Sequence, residues 1–150
     1  MVAVDLSSEG GPLTEPIRSL ATTLLDARPM ARLACVNVLK TARIGLGTLT
    51  RNDGSPIHVH RLVDLKNWAA AMRLPADRLT FDVLEGHDPA EGLLTFARNN
   101  HVDHRIVSAR GSGGVRRHLG SVSSAIVAEA TCSVNVMRAV EPAQEHIAGT

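Results

Sequence analysis

The sequence predicts an α/β protein built on one doubly wound parallel sheet, and three observations carry that prediction. Short apolar runs that read as buried strands alternate with longer stretches whose apolar residues recur at helical spacing. Hydrophobic residues make up 44% of the 150-residue chain but aromatic ones only 2% (Trp68, Phe81 and Phe96), so the core must come from Val, Leu, Ile and Ala. That mixture suits parallel strands covered by helices on both faces. Residues 105–129, RIVSARGSGGVRRHLGSVSSAIVAE, pass from an apolar run through a loop with Gly111, Gly113 and Gly114 into a helix announced by Gly120, Ser121 and Ser123. Glycines let backbone N–H groups approach a ligand, and a helix N-terminus adds about half a positive charge, so this order suits an anion such as a nucleotide phosphate.

Taken in order, residues 1–4 read as a short buried strand, with Asp5, Leu6 and the serines and glycines after them forming the turn at its C-terminal end. Leu13, Ile17, Leu20, Leu24 and Leu25 recur at helical spacing and predict a helix over 12–27, stopped by Pro29. Residues 31–39, ARLACVNVL, are apolar nearly throughout, as a central strand covered on both faces requires. Residues 41–60 have no sustained period; they read as an irregular excursion with one helical turn near Ile44 and a turn at 52–56. Leu62, Leu65, Trp68, Ala69 and Met72 predict a helix from Arg61 to about Leu74. A third strand covers 79–84, and Asp88 caps a helix that carries Pro89 in its first turn and buries Leu93, Leu94 and Phe96. The fourth strand is 105–108, the last helix 121–130, and the final strand 133–140. Right-handed crossovers join them. One domain over 1–140 follows, with a polar, frayed tail at 141–150.

Composition excludes several classes. A net charge of +1, a pI near 7.9 and the shortage of aromatics disfavour single-stranded nucleic-acid binding. No run approaches the roughly 20 apolar residues of a membrane span, and no signal pattern begins the chain, so a cytoplasmic protein without membrane partners is expected. The first apolar run starts at Val2, which is consistent with a piece cut from a longer protein. Cys35 and Cys132 stand far apart without C-x-x-C spacing and read as buried free thiols. The pairs His58 with His60 and His101 with His104 lack an accompanying Cys or acidic cluster, so no metal is assigned. No nucleophile with an assigned base and no phosphate-loop lysine is identifiable, so no catalytic residue is assigned.

Three ordered pieces carry a resemblance: the opening AVDLS, the second-strand run LACVNV, and the ending ARGSGGVRRHLGSVSSAIVAEATCSVNVMR. Together they resemble the universal stress protein family over almost the whole chain. The resemblance implies a three-layer, five-stranded parallel sheet in order 3-2-1-4-5, Rossmann-like and of the adenine nucleotide alpha hydrolase type. Members that bind ATP carry G-x2-G-x9-G-[ST]. Here the preferred register puts Ser108 on the first glycine and Gly111 on the second, with eight residues before Gly120; the other register puts Val107 and Arg110 on the glycine positions.

The resemblance implies that Asp5 contacts adenine or ribose and that Val38 and Val107 pack on the base. Ser108 and Gly111 then lie along ribose and phosphates, while Gly120, Ser121, Val122 and Ser123 offer N–H groups and hydroxyls to the phosphates of ATP, with Mg as its counter-ion. It also implies a homodimer through the 133–140 edge strand, on which Val134 and Val136 face one side and Met137 the other. The run LACVNVLK, the HVDH before the fourth strand and the eight-residue spacing are similar to the universal stress domain attached behind bacterial serine/threonine protein kinases, so a kinase is a candidate partner. The expected function is a dimerising stress-response module that binds adenine nucleotide without catalysis. The alternative is the same fold with the nucleotide site lost, acting as a protein-interaction domain. Asp5 has its own second reading, as a turn carboxylate that bonds nearby N–H groups.

Overall fold

The structure is a computed structural model and describes residues 1–6, 11–41, 50, 53–109 and 119–139. Five parallel strands, β1 (Val2–Ala3), β2 (Leu33–Lys40), β3 (Leu79–Gly86), β4 (His104–Ser108) and β5 (Ser133–Met137), form one sheet in the order β3-β2-β1-β4-β5. Between them run α1 (Thr14–Asp26), α2 (Ile57–Ala70), α3 (Pro89–Asn99) and α4 (Ser121–Glu129), with a short turn of 3-10 helix at Ala76–Arg78. The sheet order is the one the sequence predicts.

Strand alternation divides the core into two layers. Val2, Val4, Cys35, Leu39, Val83 and Ile106 face α1 and α2, which bury Ile17, Ala21, Leu25, Leu65 and Ala69 against them. Met1, Val36 and Val107 face the other way, under Leu93, Leu94 and Ala97 of α3 and Ile126 of α4. Leu65 and Ile126 are wholly buried, and each such side chain contributes about 1.5–3 kcal/mol relative to exposure. Val134 and Val136 pack in the second layer and Met137 in the first, as the alternation along the last strand predicts.

The short β1 is held on both sides. Val2 is in register with Cys35 of β2 and Ile106 of β4, and the Val4 amide extends the contact by donating to the Val36 carbonyl at 2.8 Å. Asp88 caps α3 as its position before Pro89 requires, its carboxylate accepting from the amides of Ala90 at 2.9 Å and Glu91 at 3.2 Å.

Four expectations need correction. The helix placed over 61–74 starts at Ile57 and ends at Ala70. Pro56 sits extended at its N-cap, and Arg73, at φ 52°, turns the chain left-handed beyond its end, so Met72 and Leu74 join the core from a turn. His58 and His60 therefore lie on the first turns of a helix instead of in an irregular loop. The last strand stops at Met137. Cys35 is buried, but Cys132, in the turn before β5, is only half-buried. The helical turn expected near Ile44 and the tail at 141–150 lie outside the described residues.

Candidate functional site

The chain runs from β1 outward to β2 and β3, then returns to β4 on the other side of β1 and continues to β5. Because the connections on either side of β1 run along opposite faces, they part above the C-terminal ends of β1 and β4 and leave a crevice there. Ligands of open parallel sheets bind at this switch point.

Asp5 follows β1 by two residues and is half-buried at that end. Val107 and Ser108 close β4, and the Ala109 amide continues the sheet by donating to the Met137 carbonyl at 2.8 Å. Val38, Val107 and Val122 belong to the same apolar layer, so three of the residues singled out by sequence share one wall. Val38 and Val122 are half-buried there, while Val107 is 3% exposed and forms the floor beneath them. Gly111 lies outside the described residues, as do Arg110, Arg116 and Arg117.

The start of α4 supplies the polar side. Gly120 is its N-cap, in an extended conformation (φ −63°, ψ 162°), and as a glycine it offers no side-chain oxygen to the amides that follow. The Gly120 carbonyl accepts from the Ser124 amide at 2.9 Å and the Ser123 hydroxyl at 3.1 Å. Ser123 is 2% exposed, and its hydroxyl is engaged by the helix. Ser121 is exposed. The amides of Ser121, Val122 and Ser123 come before Ser124, the first to donate within the helix, and give this end of the nine-residue helix its affinity for anions. The φ of Gly120 suits any residue.

Two further residues reach the same end of β1. Asn37, the one polar residue within LACVNVL, is buried, and its Nδ2 donates to the Val4 carbonyl at 2.9 Å. Its Oδ1 has no partner among the described residues. The Arg61 guanidinium donates from Nη1 to the Leu6 carbonyl at 3.2 Å, which places a cation beside the chain that follows Asp5. A lone amide inside an apolar strand was a readable signal for Asn37. Arg61 was not readable, because its reach depends on where α2 crosses the sheet.

The histidines have partners of other kinds. His58 Nδ1 lies 3.4 Å from Glu85 Oε1, His60 Nε2 lies 2.7 Å from Ser55 Oγ, and His104 Nε2 lies 2.5 Å from Asn135 Oδ1. No group of three or more His, Cys, Asp or Glu side chains fit to hold a metal occurs among the described residues. No helix among them is long and apolar enough to cross a membrane. A separate concavity lies between β3 and α3, and none of the residues singled out for the crevice lines it.

Together these features define a doubly wound α/β domain with a helix N-terminus suited to an anion after its fourth strand. The chain belongs to the universal stress protein family, whose family model matches residues 1–138. Among solved structures it is similar to a universal stress protein from Archaeoglobus fulgidus, with 18% identity, 90% of this chain and 89% of that one covered, and a TM-score of 0.64. A universal stress protein solved in complex with cAMP has 18% identity, covers 90% and 93% of the two chains, and has a TM-score of 0.60. A family member from Arabidopsis thaliana with AMP bound has 16% identity, covers 96% and 93%, and has a TM-score of 0.56. At these identities the likeness is one of fold. No curated protein sequence matches the chain.

Proposed function

We propose that this domain is a cytoplasmic regulatory module that binds an adenine nucleotide, ATP with Mg among the candidates, and pairs with a second copy through β5. It performs no catalysis of its own. The observation that carries the reading is the N-terminus of α4, whose glycine N-cap brings no side-chain oxygen to the helix amides, in a sheet whose switch point lies at the C-terminal ends of β1 and β4. Val38 and Val122 supply an apolar wall for the base, Asp5 can accept from ribose hydroxyls, and the first amides of α4 can donate to a phosphate. The nucleotides held by the cAMP-bound and AMP-bound relatives support the same ligand class. β5 is an edge strand with Val134 and Val136 half-buried, and such an edge gains by pairing with another copy.

Ser108 and the eight-residue spacing before Gly120 favour a second reading, a fold that has lost its nucleotide and acts as a protein-interaction domain, with a serine/threonine kinase as one partner. Calorimetric titration with Mg-ATP, AMP and cAMP separates the two. Saturable heat that Asp5→Ala and Gly120→Val each abolish supports nucleotide binding in this crevice. Absence of heat with all three at millimolar concentration, together with a stable dimer by sedimentation, supports the interaction domain.

A further inference from the structure

An open groove of about 640 Å³ runs between the outer side of β3 and α3. Val83, Leu84 and Phe96 give it an apolar floor, and Glu85, Asp88 and Glu91 stand around it. Among the described residues β3 pairs only with β2, in register from Leu79 opposite Leu33 to Gly86 opposite Lys40. Alternate residues along its other side therefore present N–H and C=O groups that no described strand meets. Such an edge is a template for an added strand, and proteins commonly blunt it with lysine or proline. The eight residues of β3, LTFDVLEG, contain neither.

Charge decides what this edge accepts. Residues 82–91, DVLEGHDPAE, hold four carboxylates and no Lys or Arg, within a chain that has 16 basic and 15 acidic residues. A second copy presenting the same edge would set carboxylates against carboxylates across the new ladder, which opposes self-pairing. A nucleic acid or an anionic membrane is repelled by the same charges. A cationic chain is attracted, and the alternation of an extended segment matches the layout. Leu84 packs toward α3, so Asp82, two residues before it, faces the same side, while Glu85 points to the α2 side, where its carboxylate lies 3.4 Å from His58. Basic side chains on either face of an added strand thus meet a carboxylate, and apolar ones meet Leu84 and Phe96. Burial pushes the Asp82 carboxyl above its ordinary value, and a cation laid beside it would relieve that cost.

We propose that β3 and α3 form a docking groove for an extended basic segment of a partner protein, which adds to β3 as a sixth strand and sets Lys or Arg side chains against Glu85 and Glu91. The contact lies on the opposite sheet edge from β5 and does not depend on the nucleotide reading. Binding of this kind takes its affinity from main-chain hydrogen bonds and its specificity from alternate side chains.

The test uses the whole chain, labelled with nitrogen-15, and the capped heptapeptide Lys-Val-Arg-Val-Lys-Val-Arg. Its counterpart with Glu at every basic position serves as the control. The proposal expects amide shifts confined to β3 and α3, slowed hydrogen exchange at alternate residues of β3, and no response to the acidic peptide. The double substitution Glu85→Lys and Glu91→Lys, both at exposed positions, should weaken binding about tenfold or more. Gly92 offers a second variant: among the described residues a Cβ there meets Leu84 Cδ1 alone, at 3.9 Å, so the position admits a side chain at its first atom, and Gly92→Leu directs bulk into the groove. It should abolish peptide binding while raising the thermal midpoint, because a glycine leaves a helix interior. Shifts spread over other surfaces, or an affinity unchanged by either variant, would overturn the proposal. Concentration-dependent shifts of β3 amides without peptide would overturn it in favour of a second copy.

Discussion

The Nδ2 of Asn37 donates to the carbonyl oxygen of Val4 at 2.9 Å, inside the sheet and one residue before Asp5. The bond ties the end of the two-residue β1 to the eight-residue β2 and so helps to set where Asp5 stands. Asn37→Ala removes the donor and leaves the Val4 carbonyl buried without it. A loss of about 1–3 kcal/mol is expected from urea denaturation, the range for a buried polar group that loses its partner. Nucleotide affinity should fall with it, since the backbone that carries Asp5 loosens. A variant with full stability and full affinity would show that β1 is held by its strand pairing alone.

Cys35 gives the fold a dependence on alkaline pH. Burial between β1 and the first layer of helices pushes its thiol from 9.0 up to about 12, because the thiolate loses its water. The raised group holds its proton in the folded state while the unfolded chain releases it above pH 9, so the stabilisation is present below pH 9 and is lost as pH rises toward 12. The slope is about 1.4 kcal/mol per pH unit. Urea midpoints at pH 8 and pH 10.5 should differ by about 2 kcal/mol more in the wild type than in Cys35→Ala. Half-buried Cys132 should react with a thiol reagent in the native protein, whereas Cys35 should react only after unfolding.

How much of this was legible follows from which forces act locally. Strands β2 to β5 could be read because they are dense in Val, Leu and Ile, and α3 because Asp88 and Pro89 announce it. Turn chemistry pointed to Asp5 and Gly120, and the family resemblance to Ser108, as candidates for a site at the C-terminal end of the sheet. The start of α2 could not be read, since His58, His60 and Arg61 interrupt its apolar pattern and only Leu65 and Ala69 are fully buried. Asn37 stood out as the lone amide in an apolar run, but its acceptor, the Val4 carbonyl, comes from the pairing of β1 with β2. The groove at β3 was invisible for another reason: which strand lies at the edge, and which helix stands beside it, are properties of topology. For Ser123, sequence names a hydroxyl without its acceptor, here the Gly120 carbonyl.

Arg105 is 2% exposed, and neither its Nε nor its Nη1 has a hydrogen-bond partner among the described residues. Its position on β4, two before Val107, turns it toward the α3 and α4 layer. A guanidinium held there loses hydration without full compensation, which opposes folding. Arg105→Met keeps the length of the side chain and removes the charge. An increase of at least about 1 kcal/mol in unfolding free energy is expected, read as a raised urea midpoint with an unchanged slope. A lower midpoint would mean that the guanidinium is compensated by carbonyl groups or water after all.

Arg78 holds together the junction of α1 and β2 from a distance in sequence. Its Nη2 donates to the carbonyls of Leu25 at 2.9 Å and Arg28 at 3.0 Å, and its Nε to that of Ala31 at 3.0 Å. Leu25 lies in the last turn of α1, where its carbonyl already accepts from the Arg28 amide at 3.1 Å and the helix dipole favours a cation. The planar guanidinium can serve three oxygens at once, which an ammonium on a flexible stem cannot match. Arg78→Ala should cost about 1–3 kcal/mol, and Arg78→Lys should recover less than half of it. Hydrogen exchange distinguishes this role from a general packing loss. Amides around 27–31 should lose protection at both variants, while those in β4 and β5, on the far side of the sheet, should follow only the global change in stability.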